Sequence, residues 1–252
     1  MNFLSDALDY IFTAANWTGS SGLGTRIGEH LQYTVIAIAA AVVIAVPIGL
    51  LIGHTGRGTF LVVSGVNALR ALPTLGVLLL GVLLWGLGLI PPTVALLLLG
   101  VPPLLAGTYS GIANVDHTVV EAARAMGMTE RQVLFGVEVP NALPLILSGL
   151  RTATLQIVAT ATVAAYASLG GLGRYLIDGI KVRQFHLALV GAIMVTALAL
   201  LLDAILAFAV WLSAPGTGRL RPVPRDLVDD SGAGDTGVAG RVKPRRHAAT
   251  QT

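Results

Sequence analysis

Between residues 31 and 212 the chain holds five long runs with almost no charge, and that feature excludes most folds. A backbone crossing ~30 Å of hydrocarbon at ~1.5 Å per residue needs about 20 residues and must satisfy its own polar groups, so such runs read as membrane-spanning helices. They lie at about 31–52 (LQYTVIAIAAAVVIAVPIGLLI), 60–84, 90–110, 145–167 and 187–212. The stretch 60–110 is almost continuously apolar, so the count is five spans or six. Only 12% of residues are charged, against about 25% in an ordinary soluble domain. The fold class expected is all-α, a polytopic transmembrane helical bundle.

Lysine and arginine set the orientation. With the N-terminus outside, the inner segments hold Arg57, Arg124, Arg131 and seven residues beyond position 215, ten in all; the outer segments hold four, Arg26, Arg174, Lys181 and Arg183. The expectation is therefore an N-terminus outside and a C-terminus in the cytoplasm. Residues 1–24 form an extracytoplasmic segment, 25–212 the membrane domain, and 213–252 a disordered basic cytoplasmic tail rich in Gly, Pro and charge. The net charge of +3 comes from that tail and suits retention at an anionic lipid surface better than nucleic-acid binding. MNFLSDALDY carries Asp6 and Asp9 and no basic n-region, unlike a cleavable signal peptide. Tyr33, Trp85, Tyr109, Tyr166 and Trp211 fall near span ends, as an interfacial belt requires.

Polar and helix-breaking residues within the spans mark a candidate pathway. Pro47, Pro73, Pro102 and Pro103 each remove a backbone donor, which is tolerable at membrane depth where protein or a water-filled cavity compensates. Arg70, Arg151 and Asp203 are the intramembrane charges. Arg151 is placed to snorkel to the inner interface, Arg70 to pair with a carboxylate or a carbonyl freed by Pro73, and Asp203 to make a helix–helix polar contact or meet a cation. Arg70, Pro73, Pro102, Pro103 and Asp203 are the pathway candidates.

One polar stretch interrupts the chain, NVDHTVVEAARAMGMTERQVLFGVEVPNALP, at 114–144. Asp116 or Thr118 can cap a helix, and Thr118 with Glu121 has capping-box spacing. That helix stops at Gly127, which takes a left-handed conformation without steric cost. Thr129 and Gln132 offer a second capping box, Pro140 ends the second helix, and Pro144 with Asn141 opens the next span. Val119, Ala122, Ala123, Met126, Val133, Leu134 and Val137 form the inward face. They are too few for a core of their own, so the pair either docks a soluble partner or packs on this chain's span ends.

The spacing is specific. Glu121-Ala122-Ala123, three residues, Gly127, nine residues, then Val137, any residue, Val139 and Pro140 resembles the EAA loop of type I ABC-importer permeases. The resemblance covers roughly 25–212 and implies that this loop (113–144) couples the spans to ATP-binding subunits in the cytoplasm. It also implies a second permease subunit, an extracytoplasmic substrate-binding protein, and a multi-pass location in a prokaryotic plasma membrane. The segments ALRALPTLGVLLLGVLLWGLG and AAYASLGGLGRYLIDGI, with the loop flanks, are similar to permeases for osmoprotectants: glycine betaine, proline betaine, choline and carnitine. His117 stands where Pro is frequent in that subfamily. The fused C-terminal binding domain of some members has no counterpart, so capture would fall to a separate protein.

No catalysis or cofactor is expected. The two lysines, Lys181 and Lys243, are followed by Val and Pro, so there is no P-loop, and ATP hydrolysis would belong to a partner. His30, His54, His117, His186 and His247 lack ligand spacing, so no metal is expected. A permease for methionine or another amino acid, an ion-coupled carrier using Asp203, and a non-transporting scaffold are the alternatives.

Overall fold

Apolar runs without turn residues leave the backbone no partner but itself, and all five are helical in the computed structural model, which describes residues 2–213 apart from the side chains of Leu61, Val63 and Asn67. Helix α1 spans Phe3–Phe12 and is followed by a 3-10 turn, Ala14–Trp17; α2 spans Leu23–Thr55, α3 Thr59–Arg70, α4 Thr74–Trp85 and α5 Ile90–Ala113. The polar interruption contains α6, His117–Ala125, and α7, Glu130–Val133. A π-helical turn, Leu134–Glu138, leads into α8, Val139–Thr160, which ends in a 3-10 segment, Ala161–Ala167. Then come α9, Gly173–Lys181, and α10, Phe185–Ser213.

Among the described residues, four helical stretches are long and apolar enough to cross a bilayer: Leu23–Thr55, Ile90–Ala113, Glu130–Ala167 and Phe185–Ser213. The expected second span is instead a pair, Ser64–Arg70 and Thr74–Trp85, bent by 84°, which makes a fifth if read as one broken span. The break falls at Pro73, whose extended backbone (ψ 114°) caps α4 and whose ring opposes helix in the residue before it. Pro47, Pro102 and Pro103 were expected to break helices too, but α2 and α5 run through them. Pro102 and Pro103 are buried where α2 and α8 press on α5, so packing holds the helix across the missing donors.

Helix α5 is central, with α2 on one side and α8 on the other. Lipid is as apolar as leucine, so helices join by close approach rather than by hydrophobic expulsion, and small residues decide where. Gly49 and Gly53 of α2 face Thr108 and Ile112 of α5; Gly100 of α5 faces Ile157 of α8. Gly107 on α5 meets Gly149 on α8 backbone to backbone. Large apolar side chains instead point outward, Leu83 and Phe208 among them, as lipid-facing surface does.

The N-terminal segment, expected to lie outside the membrane domain, contains an amphipathic helix. Its Ala7, Tyr10 and Ile11 pack on Tyr175, Leu187 and Val190, and Phe3 meets Phe185 edge to face with ring centroids 5.9 Å apart. At that same end, Glu29 Oε2 accepts the Gly171 N–H at 2.6 Å and pairs with Arg26 at 3.0 Å, tying α2 to the loop before α9. The expected tail lies outside the described residues, save Ser213, which closes α10.

Candidate functional site

The polar interruption is built from two caps and a turn. Asp116 Oδ1 accepts the Thr118 N–H at 2.8 Å and starts α6. The Thr118–Glu121 capping box does not form, because Asp116 already claims the Thr118 amide and draws Thr118 into the helix. That bond favours the charged carboxylate and holds Asp116 below the usual carboxylate range, helped slightly by neighbouring His117. Gly127, at φ 85°, ends α6. Its N–H donates to Arg124 O at 2.9 Å and the Met128 N–H donates to Ala123 O at 3.2 Å, the paired bonds of a Schellman motif. Thr129 and Gln132 then make the expected capping box: the Thr129 N–H meets Gln132 Oε1 at 2.8 Å and the Gln132 N–H meets Thr129 Oγ1 at 3.4 Å.

Pro140 does not end the second helix, which differs from the sequence expectation. The Val139 N–H bonds to Leu134 O, five residues back, and the helix continues unbroken from Glu130 to Ala167 over 38 residues. A π turn shifts the hydrogen-bond register by one residue just ahead of the proline, so the missing donor and the ring clash fall where the ladder is already changing. Asn141 is not a cap either; its Nδ2 donates to Val137 O at 2.8 Å.

The buried face of α6 is also one residue away from the expected one. Val120 and Ala123 are buried, together with Val133, against Ile112 and Val115, while Val119, Ala122 and Met126 are exposed. Leu134 and Val137 are half-buried at the edge of the same cluster, as is Leu50 of α2. The loop thus packs on the chain's own span ends and still presents apolar surface, Met126 and Phe135 above all, at 77% and 61% exposure. Arg124 grips Glu130 with two bonds of 3.0 Å. Glu130 Oε2 lies 3.1 Å from His54 Nε2, and His54 Nδ1 donates to Glu138 Oε2 at 2.6 Å.

Beside the loop, α3, α5 and α8 enclose a cavity of about 490 Å³. Thr59, Arg70, Tyr109, Ser110, Ser148 and Thr152 supply its polar lining, and Pro103 part of its apolar wall. On α8, between the lining residues Gly149 and Thr152, Arg151 holds Asp203 of α10 in a bidentate pair, Nε to Oδ1 at 2.5 Å and Nη2 to Oδ2 at 2.7 Å.

Sequence comparison matches residues 45–210 to the family described as binding-protein-dependent transport system inner membrane component. The chain belongs to this family. It is 36% identical over 190 residues to the glycine betaine/carnitine/choline transport system permease protein OpuCB of Bacillus subtilis (strain 168), covering 75% of this chain and 88% of that one. It is 36% identical over 181 residues to the choline transport system permease protein OpuBB of the same organism, covering 72% and 83%. With the osmoprotectant import permease protein OsmY of Salmonella typhimurium it shares 35% over 188 residues, covering 74% and 78%. Among solved structures, a chain of the MetNI methionine ABC transporter superposes with a TM-score of 0.68 at 21% identity, covering 76% of this chain and 95% of that one. A chain of an amino acid ABC transporter gives 0.61 at 21% identity, covering 82% and 97%. At that identity the likeness shows the fold, a type I ABC-importer permease bundle.

In this permease the motif residues do not converge on one point. Glu121 and Ala122 are exposed on α6, Ala123 is buried beneath them, and Gly127 makes the elbow. Val137, Val139 and Pro140 lie at and just beyond the π turn, where they join the loop to α8. Of the pathway candidates, Arg70 and Pro103 line the cavity; Pro73, Pro102 and Asp203 are not among its lining residues. Arg151, expected to snorkel, is paired with Asp203. The His54–Glu130–Glu138 cluster had no expectation attached. Glu138 occupies the unconstrained position of the motif, and His54 lies 84 residues earlier with no periodicity linking them.

Proposed function

We propose that this permease is the pathway-forming subunit of an ATP-driven importer for quaternary ammonium osmoprotectants such as glycine betaine, proline betaine, choline or carnitine. The solute class rests on the solutes for which relatives at 35–36% identity are named. One observation of geometry carries the mechanism. The elbow at Gly127 delivers the exposed helix α6 into α7, and α7 is continuous with the 38-residue helix through the bundle. A push on the exposed face of α6 therefore reaches a continuous helix in contact with the central helix. In this reading Glu121, Ala122, Ala123, Gly127, Val137, Val139 and Pro140 couple the spans to separate cytoplasmic ATP-binding subunits. The loop then faces the cytoplasm and the N-terminus lies outside, as the ten-to-four arginine and lysine count favours. Residues 1–24, 25–212 and 213–252 are then the outer segment, the membrane domain and the cytoplasmic tail.

A second permease subunit would close the open side of the cavity, and an extracytoplasmic binding protein would supply the solute. Arg70 and Pro103 are the favoured pathway residues, and the guanidinium suits a carboxylate-bearing betaine or carnitine better than a bare cation. The bidentate Arg151–Asp203 pair argues against Asp203 as an ion-coupling group, and so against an ion-driven carrier.

Gly127→Val tests the coupling. Its φ of 85° opposes a side chain while nothing lies within 4 Å of a Cβ there, so the cost is backbone strain of about 1–2 kcal/mol. In liposomes carrying the complete complex, the variant should insert normally and lose ATP-dependent glycine betaine uptake relative to ATP hydrolysed. Unchanged uptake per ATP would defeat the coupling role, and uptake with no ATPase present would defeat the importer reading.

A further inference from the structure

We infer that His54 is a positioning residue of the coupling mechanism, pinning the base of the coupling segment to the end of α2 so that the two move as one body. This rests on the coupling role proposed for residues 113–144.

The argument begins with where the side chains sit. His54 occupies the last turn of α2, which Gly56 then closes in a left-handed conformation, its N–H bonded to Ile52 O at 2.9 Å. Gly53 beside it lies against Ile112 of α5, so this turn is clamped to the central helix. The His54 side chain is 13% exposed, and its two nitrogens meet two different carboxylates, Nδ1 on Glu138 at 2.6 Å and Nε2 on Glu130 at 3.1 Å. The Glu138 side chain is 6% exposed. A carboxylate only accepts hydrogen bonds, so completing both contacts takes a proton on each ring nitrogen.

The four side chains then follow one another in a chain. Arg124 on α6 holds Glu130 on α7, Glu130 faces His54 on α2, and His54 holds Glu138 in the π turn. These contacts form a chain that links four parts of the fold, α2, α6, α7 and the π turn. The link is not a generic surface ion pair, because a buried Glu138 without its partner would be an uncompensated charge. The π turn contributes as well: it is the place where the rod would flex, and the bond from His54 is attached there.

The absence of cysteine makes the test direct. Spin labels on cysteines introduced at Thr55 and Arg131, both exposed, report the distance between the end of α2 and the coupling segment in the full chain. One narrow distribution is expected with His54 present, and a broadened, shifted one in His54→Leu. Glu138→Gln, which keeps the shape and removes the charge, should do the same and guards against a folding failure of the first variant. In liposomes with the ATPase partner and binding protein, His54→Leu should lower solute imported per ATP by about 5- to 10-fold with KM for solute unchanged. His54→Gln, retaining one amide donor group, should recover part of it. Unchanged distances in His54→Leu and Glu138→Gln, or wild-type solute per ATP in His54→Leu, would overturn the inference. If the distances shift but the unaltered complex imports no solute on ATP, the pinning stands and the importer reading falls.

Discussion

Replacing Gly107 with alanine tests the central packing claim, because two opposing effects can be weighed against each other. A Cβ at Gly107 would lie 2.7 Å from Gly149 Cα, 2.9 Å from Leu145 O and 3.1 Å from Gly149 N. All three are backbone atoms, so no side chain can rotate away; α5 and α8 must separate by about 1 Å to restore ~3.5–4.0 Å carbon contacts. If on the order of 40 atom pairs along that seam, at ~0.15 kcal/mol each, lose a quarter to a half of their attraction, the loss is about 1.5–3 kcal/mol. Against it stands the helix-propensity gain of Gly→Ala, about 1 kcal/mol. The net expectation is destabilisation of about 0.5–2 kcal/mol. Gly28→Ala is the control, since Gly28 lies in α2 with nothing within 4 Å and should show only the gain. Reversible SDS titration in mixed micelles, followed by circular dichroism, gives both values. A Gly107→Ala variant as stable as Gly28→Ala would refute the idea that backbone contact at this glycine pair sets the spacing of the bundle.

The Arg151–Asp203 pair should behave as one unit: Arg151→Leu and Asp203→Leu each leave a lone charge in the bundle, and the double variant should be more stable than either single one. The same titration tests this, and additive effects would show that the two side chains do not share an interaction. Asp116 adds a pH dependence. Its charged form accepts the Thr118 amide, so its folded-state value is depressed, and the cap is whole above the ordinary carboxylate range and is lost as pH falls through the depressed value. Hydrogen-exchange protection at the start of α6 should fall with acidification in the natural chain and stay flat in Asp116→Asn; parallel curves would remove Asp116 as the cause.

Local chemistry was readable one residue at a time. The Thr129–Gln132 capping box and the left-handed Gly127 follow from side chains acting within a few residues of themselves. The α6 face was misjudged by one position because two caps competed for its start, and the winner was settled by which acceptor reached the Thr118 amide. The amphipathic helix α1 had its signal in Phe3, Ala7, Tyr10 and Ile11, a helical spacing obscured by two aspartates.

The all-α class and the loop motif were determined by the sequence itself, because a long uncharged run in lipid has one backbone solution and because the motif's constraints are local in the chain; the span count was not, because the bend at Pro73 depends on tertiary packing. The tertiary structure alone decided that a π turn carries the helix past Pro140, that Arg151 meets Asp203, and that His54 meets Glu130 and Glu138. Those pairings join residues 52, 76 and 84 positions apart, as the numbering of each pair gives. The two His54 pairings depend on how closely glycine surfaces let α2, α5 and α8 approach, a quantity that no periodicity along a single helix encodes.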